Sequence, residues 1–198
     1  MLFARFPIIR AKRICSMINH PGFTLWFTGL SGAGKTTVAK ALYTRLEEMG
    51  MRVERLDGDV VRQSLTKDLG FSKEDRDKNI ERVTFVAKLL SRNNVAVLAS
   101  FISPYAKTRD YVRNETTNFI EVHVSAPLEV CEERDVKGMY AKARSGEIKN
   151  FTGISDPYEE PQNPDILLPT HEQTLEESVE MLIEELGKRG LLPEPVTN

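Results

Sequence analysis

The stretch Gly29–Thr36 reads G-L-S-G-A-G-K-T, directly after the apolar run Phe23–Phe27 and directly before a helix-forming segment. Strand, glycine loop, Lys-Thr and helix in that order form a nucleoside-triphosphate cradle, and few folds accommodate one. Phosphates carry dense negative charge, and a loop of small residues lets several backbone N–H groups converge on one cluster of oxygens. The start of the following helix adds partial positive charge. Lys35 supplies a full charge for the β- and γ-phosphates, and the Thr36 hydroxyl suits a Mg²⁺ ligand. The residues read as ATP-binding are Gly32, Ala33, Gly34, Lys35, Thr36 and Thr37. The cradle says nothing about the fate of the nucleotide.

Alternating apolar runs and helical patterns around it predict an α/β fold: a doubly wound parallel sheet of about five strands, with helices on both faces. The strands are read at Phe23–Phe27, Arg52–Leu56, Val95–Ser100, Phe119–Ser125 and Asp165–Leu168. Between the first two, a helix over Thr36–Met49 buries Val38, Leu42 and Leu46 and stops at Gly50. Ser72 opens a long helix with Asp75 as its capping-box partner and Ile80, Val83, Ala87 and Leu90 as its inner face. Pro127 begins another helix. Thr174 and Glu177 cap the last one, whose apolar face is Leu175, Val179, Leu182 and Leu186. In such a sheet, ligands bind beyond the carboxyl ends of the strands.

The chain has 198 residues, enough for one domain with its own core. We divide it into a basic N-terminal arm over 1–22, a folded unit over 23–190 and a tail over 191–198. The first acidic residue is Glu47, so the N-terminal quarter is basic, and part of that excess would face a polyanion. A net charge of −2 gives no reason to expect nucleic-acid binding, and no apolar run is long enough to span a membrane. Cys15 and Cys131 lack metal-site spacing, which fits a reducing, cytoplasmic setting. Residues 1–18 resemble a transit peptide superficially but read better as an arm that is flexible or packed on a partner. His20, His123 and His171 are scattered, and His123 reads as a packed strand residue.

Asp57-Gly58-Asp59 leaves the second strand where an acceptor would lie. Two carboxylates there can hold Mg²⁺ and orient a substrate hydroxyl, whereas turn chemistry alone does not explain the second acid. Arg62, Phe71, Arg76 and Asn79 would suit a planar base and an anion, although periodicity alone makes Arg76 and Asn79 solvated helix residues. Ser103, in Phe101–Tyr105, reads as a turn opening, since no histidine lies near it in sequence to activate it. The segment from Arg134 to Lys149 is cationic with Gly138 and Gly146 as joints, as in a lid closing over phosphates. Asp135–Gly138 matches the D-x-x-G of a GTPase switch, but no N-K-x-D follows and the match is accidental.

Taken together, GLSGAGKTT at Gly29–Thr37, LDGDVVR at Leu56–Arg62, LGFSKEDRDKNIERV at Leu69–Val83, SFISPY at Ser100–Tyr105 and the long string from Ala126 to Ile154, followed by DPYEEP, resemble the adenylylsulfate kinase family. The resemblance runs from about Gly22 to Gly187. It implies a P-loop NTPase-type fold and transfer of the ATP γ-phosphate to the 3′-hydroxyl of adenosine 5′-phosphosulfate. By the same resemblance Lys35, Asp57, Asp59 and Ser103 are the catalytic set, and Thr36 and Asp57 attend Mg²⁺. It also assigns Asp59, Arg62, Phe71, Arg76, Asn79, Ile102 and Ser103 to the adenylylsulfate site, with Lys137, Asn150 and Phe151 closing from the lid. Ser103 matches a phosphoserine position of the family, although direct in-line transfer needs no covalent serine. Asn150 stands where relatives often carry glycine, which bears on lid motion. A homodimer and an ATP sulfurylase partner are implied as well; the chain shows no sulfurylase portion and reads as the kinase alone or as an excised kinase domain. Two alternatives stay open: another small-molecule P-loop kinase, and a nucleotide-binding subunit without turnover, which intact Lys35, Asp57 and Asp59 disfavour.

Overall fold

The computed structural model describes residues 20–135 and 137–193. The expectations for residues 1–19, Cys15 among them, and for residues 194–198 lie outside it. Among the described residues five strands form one parallel sheet: β1 (Phe23–Thr28), β2 (Val53–Asp57), β3 (Ala96–Ser100), β4 (Phe119–Ser125) and β5 (Ile166–Pro169), in the spatial order β2-β3-β1-β4-β5. The connecting helices are α1 (Lys35–Glu48), α2 (Gly58–Gln63), α3 (Lys73–Ser91), α4 (Ala106–Glu115), α5 (Leu128–Arg134), α6 (Met139–Arg144) and α7 (Leu175–Lys188). None of these helices is long and apolar enough to cross a membrane.

The two sides of the sheet bury different clusters. Because Leu25 pairs with Leu98 and Phe27 with Ser100, alternate residues of neighbouring strands share a face. Phe23, Leu25, Phe27 and Leu98 pack beneath Val38, Leu42 and Leu46 of α1 and Val179, Leu182 and Leu186 of α7. Trp26, Ala99 and Phe101 pack beneath Val61, Ile80, Val83 and Val112 on the other side. Trp26 is fully buried and stacks on Phe101 with ring centroids 5.3 Å apart. Such an aromatic pair contributes roughly 0.5–1.5 kcal/mol beyond its burial.

The caps refine the sequence reading. Thr174 and Glu177 make both arms of a capping box on α7. Ser72 caps α3 by accepting from Asp75 N, but the return arm is absent: Asp75 Oδ2 accepts from Gly70 N instead and ties down the preceding loop. Leu90 is only partly buried, and Thr84 and Ser91 join the inner face of α3. Helices α2, α4 and α6 are not signalled by the sequence patterns above; α2 begins within Asp57-Gly58-Asp59, the acidic pair read as functional, with Asp57 as its N-cap.

Candidate active site

The glycine loop leaves β1 at Gly29, and α1 begins at Lys35. A Cβ on Gly29 would lie 2.3 Å from the Val124 carbonyl oxygen, and its φ is +148°. Backbone cannot yield there, so Gly29→Ala is expected to destabilise by on the order of 3 kcal/mol or more. Thermal melting checks this: a drop below roughly 6 °C would mean that β1 and β4 separate more easily than their packing indicates.

Gly34, at φ +103°, starts α1, and no side chain among the described residues caps that end. The first-turn N–H groups therefore face the loop's concave side, where an anion can take them. The back of the loop is braced. Thr170 Oγ1 donates to Ala33 O at 2.6 Å, Arg134 spans Gly32 O and Thr170 O, and the Tyr140 hydroxyl donates to Ser31 O at 2.8 Å.

Lys35 is buried, and its ammonium donates to Gly29 O at 2.9 Å and Leu30 O at 2.8 Å. Burial lowers its pKa to about 8; Cys131, Asp57 and Asp59 oppose the shift and Lys137 adds to it. A buried cation above a cradle of N–H groups is a site of pent-up positive potential, which a polyanion relieves.

Beside it Thr36 Oγ1 donates to Asp57 Oδ2 at 2.9 Å, while Asp57 Oδ1 accepts from Asp59 N at 3.0 Å. Hydroxyl and carboxylate are hard oxygen donors, the set that fits Mg²⁺ when phosphates and waters complete the shell. Among the described residues there is no cluster of three or more acidic, histidine or cysteine ligands.

These groups open into a cavity of about 630 Å³. Its near wall holds Gly32, Gly34, Lys35, Thr36, Thr37 and Asp57; Ala33 is buried behind the loop, with its N–H turned to Leu30 O. Across from them the same cavity is lined by Asp59, Arg62, Phe71, Arg76, Asn79, Ile102 and Ser103, and by Lys137, Asn150 and Phe151 from the basic segment. The sequence left Arg76 and Asn79 as solvated helix residues on periodicity alone. In the fold the Arg76 side chain is only 11% exposed and Asn79 only 4%.

Arg62 stacks over Phe71 at 4.4 Å, and burial together with the neighbouring Arg76 lowers its guanidinium from the ordinary value. Arg76 reaches across to Thr152 Oγ1 and Asn150 O, with Nε on Phe71 O at 2.9 Å. Asn79 Oδ1 accepts from Thr66 at 2.8 Å, which fixes the orientation of its amide. Asn150 has φ +55°, a left-handed conformation that asparagine tolerates and glycine adopts freely, so either residue serves at this turn. Gly138 and Gly146, both left-handed, flank α6. Lys137 bonds the Asp59 carboxylate across the cavity mouth, and Phe151 packs edge-on to Tyr140 at 5.0 Å. Asp135 accepts from Tyr140 N and Ala141 N and so starts α6, a structural use of the D-x-x-G residues.

Ser103 has φ +46°, held by Arg109, which donates from Nη1 to Ser103 O at 2.8 Å and from Nε to Glu121 at 2.7 Å. Its Oγ, 2% exposed as a residue, accepts from Trp26 Nε1 at 2.9 Å; among the described residues no histidine or carboxylate bonds it. Ser103→Ala would orphan a buried indole N–H, an expected loss of about 1–3 kcal/mol in stability. An unchanged urea-unfolding midpoint would refute that bond. Met139, Tyr140, Ile148 and Thr152 also line the cavity and were not singled out in the sequence; only the long string from Ala126 to Ile154 contained them. His123 is buried, tilted against Tyr158 at 6.1 Å, away from the cavity lining.

A family model described as adenylylsulphate kinase matches residues 21–169. A Pseudomonas aeruginosa protein named "Probable adenylyl-sulfate kinase" is 80% identical over 167 residues, 84% of this chain and 78% of that one. The adenylyl-sulfate kinase of Halothermothrix orenii is 63% identical over 182 residues, 91% of this chain and 98% of that one. Among solved structures, the Mycobacterium tuberculosis APS kinase in complex with AMPPNP and APS superposes with a TM-score of 0.82 at 44% identity, covering 85% of this chain and 99% of that one. With a family match over most of its length and relatives this similar along 78% and 98% of their own chains, the chain belongs to the adenylylsulphate kinase family.

Proposed function

We propose that the chain transfers the γ-phosphate of ATP to the ribose 3′-hydroxyl of adenosine 5′-phosphosulfate, releasing ADP and 3′-phosphoadenylyl sulfate. One observation carries the reading beyond family membership. A single cavity has a phosphate cradle with Lys35, Thr36 and Asp57 on one wall and an aromatic–guanidinium wall of Arg62, Phe71, Arg76 and Asn79 facing it. The first wall suits a triphosphate and the second suits a nucleotide bearing its own anion, so donor and acceptor meet inside one enclosure.

The roles follow from charge and position. Lys35 and the start of α1 hold the β- and γ-phosphates. Phe71 offers its ring face to the adenine, and Arg62 and Arg76, each beside the other's charge, take the phosphosulfate between them. Asp59 orients the 3′-hydroxyl and receives its proton as the oxygen attacks the γ-phosphorus and the bond to ADP breaks. Lys137 and the Asn150-Phe151 turn close over the acceptor, so water does not compete as nucleophile. Thr36 and Asp57 are the residues that would hold Mg²⁺, which when bound with the nucleotide supplies charge neutralisation across the phosphates. Ser103 orients the wall through Trp26 and contacts substrate without a covalent step.

The same reading takes the unit over 23–190 as the kinase, working as a cytoplasmic homodimer on adenylylsulfate made by an ATP sulfurylase. A coupled assay of ADP release tests the activity. Release stimulated by adenylylsulfate and not by gluconate or shikimate supports it. The reverse preference would assign the cavity to another acceptor.

A further inference from the structure

Ser100 ends β3 and lines the cavity, yet its side chain takes no part in anything described so far. The residue is 4% exposed, and its hydroxyl oxygen is buried with no hydrogen-bond partner among the described protein atoms. An unpartnered buried hydroxyl destabilises a fold unless something bonds it in the working state.

Its position says what that is. Ser100 pairs in register with Asp57 on β2 and with Phe27 on β1, so its side chain is on the same sheet face as that of Asp57, on a neighbouring strand whose backbone runs about 4.8 Å away. That face is the one α1 covers, and Thr36 in the first turn of α1 already bonds Asp57. A hydroxyl, a carboxylate and a second hydroxyl thus converge at the end of the cradle, and two of the three are satisfied by each other.

We infer that Ser100 is a positioning residue for the divalent cation, its hydroxyl bonding a water of the cation's shell beside Asp57. The inference rests on the proposed reading of Thr36 and Asp57 as the residues that hold Mg²⁺. A cation of this kind keeps several of its waters, and those waters need protein acceptors and donors to fix their directions. A serine suits the task because its hydroxyl gives and accepts one bond without adding charge to a site already provided with Asp57.

The test measures binding rather than turnover. Affinity for adenylyl imidodiphosphate, followed by Trp26 fluorescence, is titrated against Mg²⁺ in the wild type, Ser100→Ala and Ser100→Thr, with ligand-free melting temperatures in parallel. Ser100→Ala is expected to raise the Mg²⁺ concentration at half-effect by about 3- to 10-fold. Its nucleotide affinity without divalent cation should stay at the wild-type value, and Ser100→Thr should restore Mg²⁺ dependence to within about twofold. The ligand-free melting temperature of Ser100→Ala should equal or exceed that of the wild type, since the variant removes an unsatisfied group. Wild-type Mg²⁺ dependence in Ser100→Ala overturns the inference. So does a lowered ligand-free melting temperature, which would mean the hydroxyl is bonded within the protein. A wild-type enzyme whose nucleotide affinity ignores Mg²⁺ would instead remove the underlying assignment of Thr36 and Asp57, and the inference with it.

Discussion

Lys35→Met is expected to lower kcat/KM at least about a hundredfold, a loss of about 3 kcal/mol of transition-state stabilisation, while leaving the ligand-free protein folded. The two halves of that result have one cause. The ammonium is buried among loop carbonyls, and its pKa in the folded chain is about 8, below the ordinary 10.5. Between those values the unfolded chain binds a proton that the folded chain does not, so stability rises with pH across that window. Below pH 8 the charged lysine therefore costs the fold on the order of 3 kcal/mol. Methionine removes that cost but strips two carbonyls of their donor, at about 1–3 kcal/mol. Near pH 7 the two effects offset, and the variant should melt close to the wild type. From pH 8 to 10.5 the wild type should gain stability relative to Lys35→Met, since the raised Cys131 thiol acts on both proteins alike. A bound triphosphate favours the charged form, so wild-type ATP binding should take up a proton above pH 8 and weaken as pH rises further. Unchanged kcat in Lys35→Met, or parallel stability curves for the two proteins across that range, would remove the role assigned here.

How much of this was legible in the residues depends on the kind of signal. β4 runs from Phe119 to Ser125 as read, because Phe119, Ile120, Val122 and Val124 mark a strand even though Glu121 and His123 interrupt the apolar run. Both arms of the α7 cap follow from Thr174 and Glu177. Helix α4 escaped notice because its sequence, AKTRDYVRNE, has almost no apolar period. Its buried face is Val112 and Arg109, and Arg109 is accommodated there by Glu121 on β4 and by two carbonyls, partners that hydrophobic patterning cannot register. The site divides the same way. The cradle is contiguous, so Gly29 to Thr36 can be read as chemistry directly. Arg76 is enclosed only when the loop at 150–152 folds back onto α3, a contact more than seventy residues away in sequence, and Asn79 is turned inward by its bond from Thr66 on the preceding segment. Periodicity had left them solvated, and the family resemblance carried them to the site. Ser100 lay inside one of the resemblance's strings, yet its unpaired hydroxyl emerges only from the packed strand end.

Asp59→Asn is expected to lower kcat about a hundredfold or more while changing the affinity for ATP less than about threefold. Asp59 is an exposed residue whose partner is Lys137, also exposed. An ion pair of that kind contributes at most about 1 kcal/mol to stability, so a melting temperature near the wild type should accompany the loss of turnover. Asn keeps the size and one acceptor oxygen but cannot take a proton from the 3′-hydroxyl. Two causes of a low kcat then need separating: loss of the acid as a partner of the hydroxyl, and loss of the anchor that draws Lys137 over the acceptor. Lys137→Met removes the anchored lysine and leaves the acid in place. If Asp59 serves only to hold Lys137, the two single variants and the double variant should be equally slow. If Asp59 acts on the hydroxyl, Asp59→Asn should be the slower single variant. Lys137→Met should then chiefly raise KM for adenylylsulfate, and the double variant should be slower than either. The second pattern is expected, because Asp57 already occupies itself with Thr36 and the start of α2, leaving Asp59 as the carboxylate on the acceptor side of the cavity without a backbone duty.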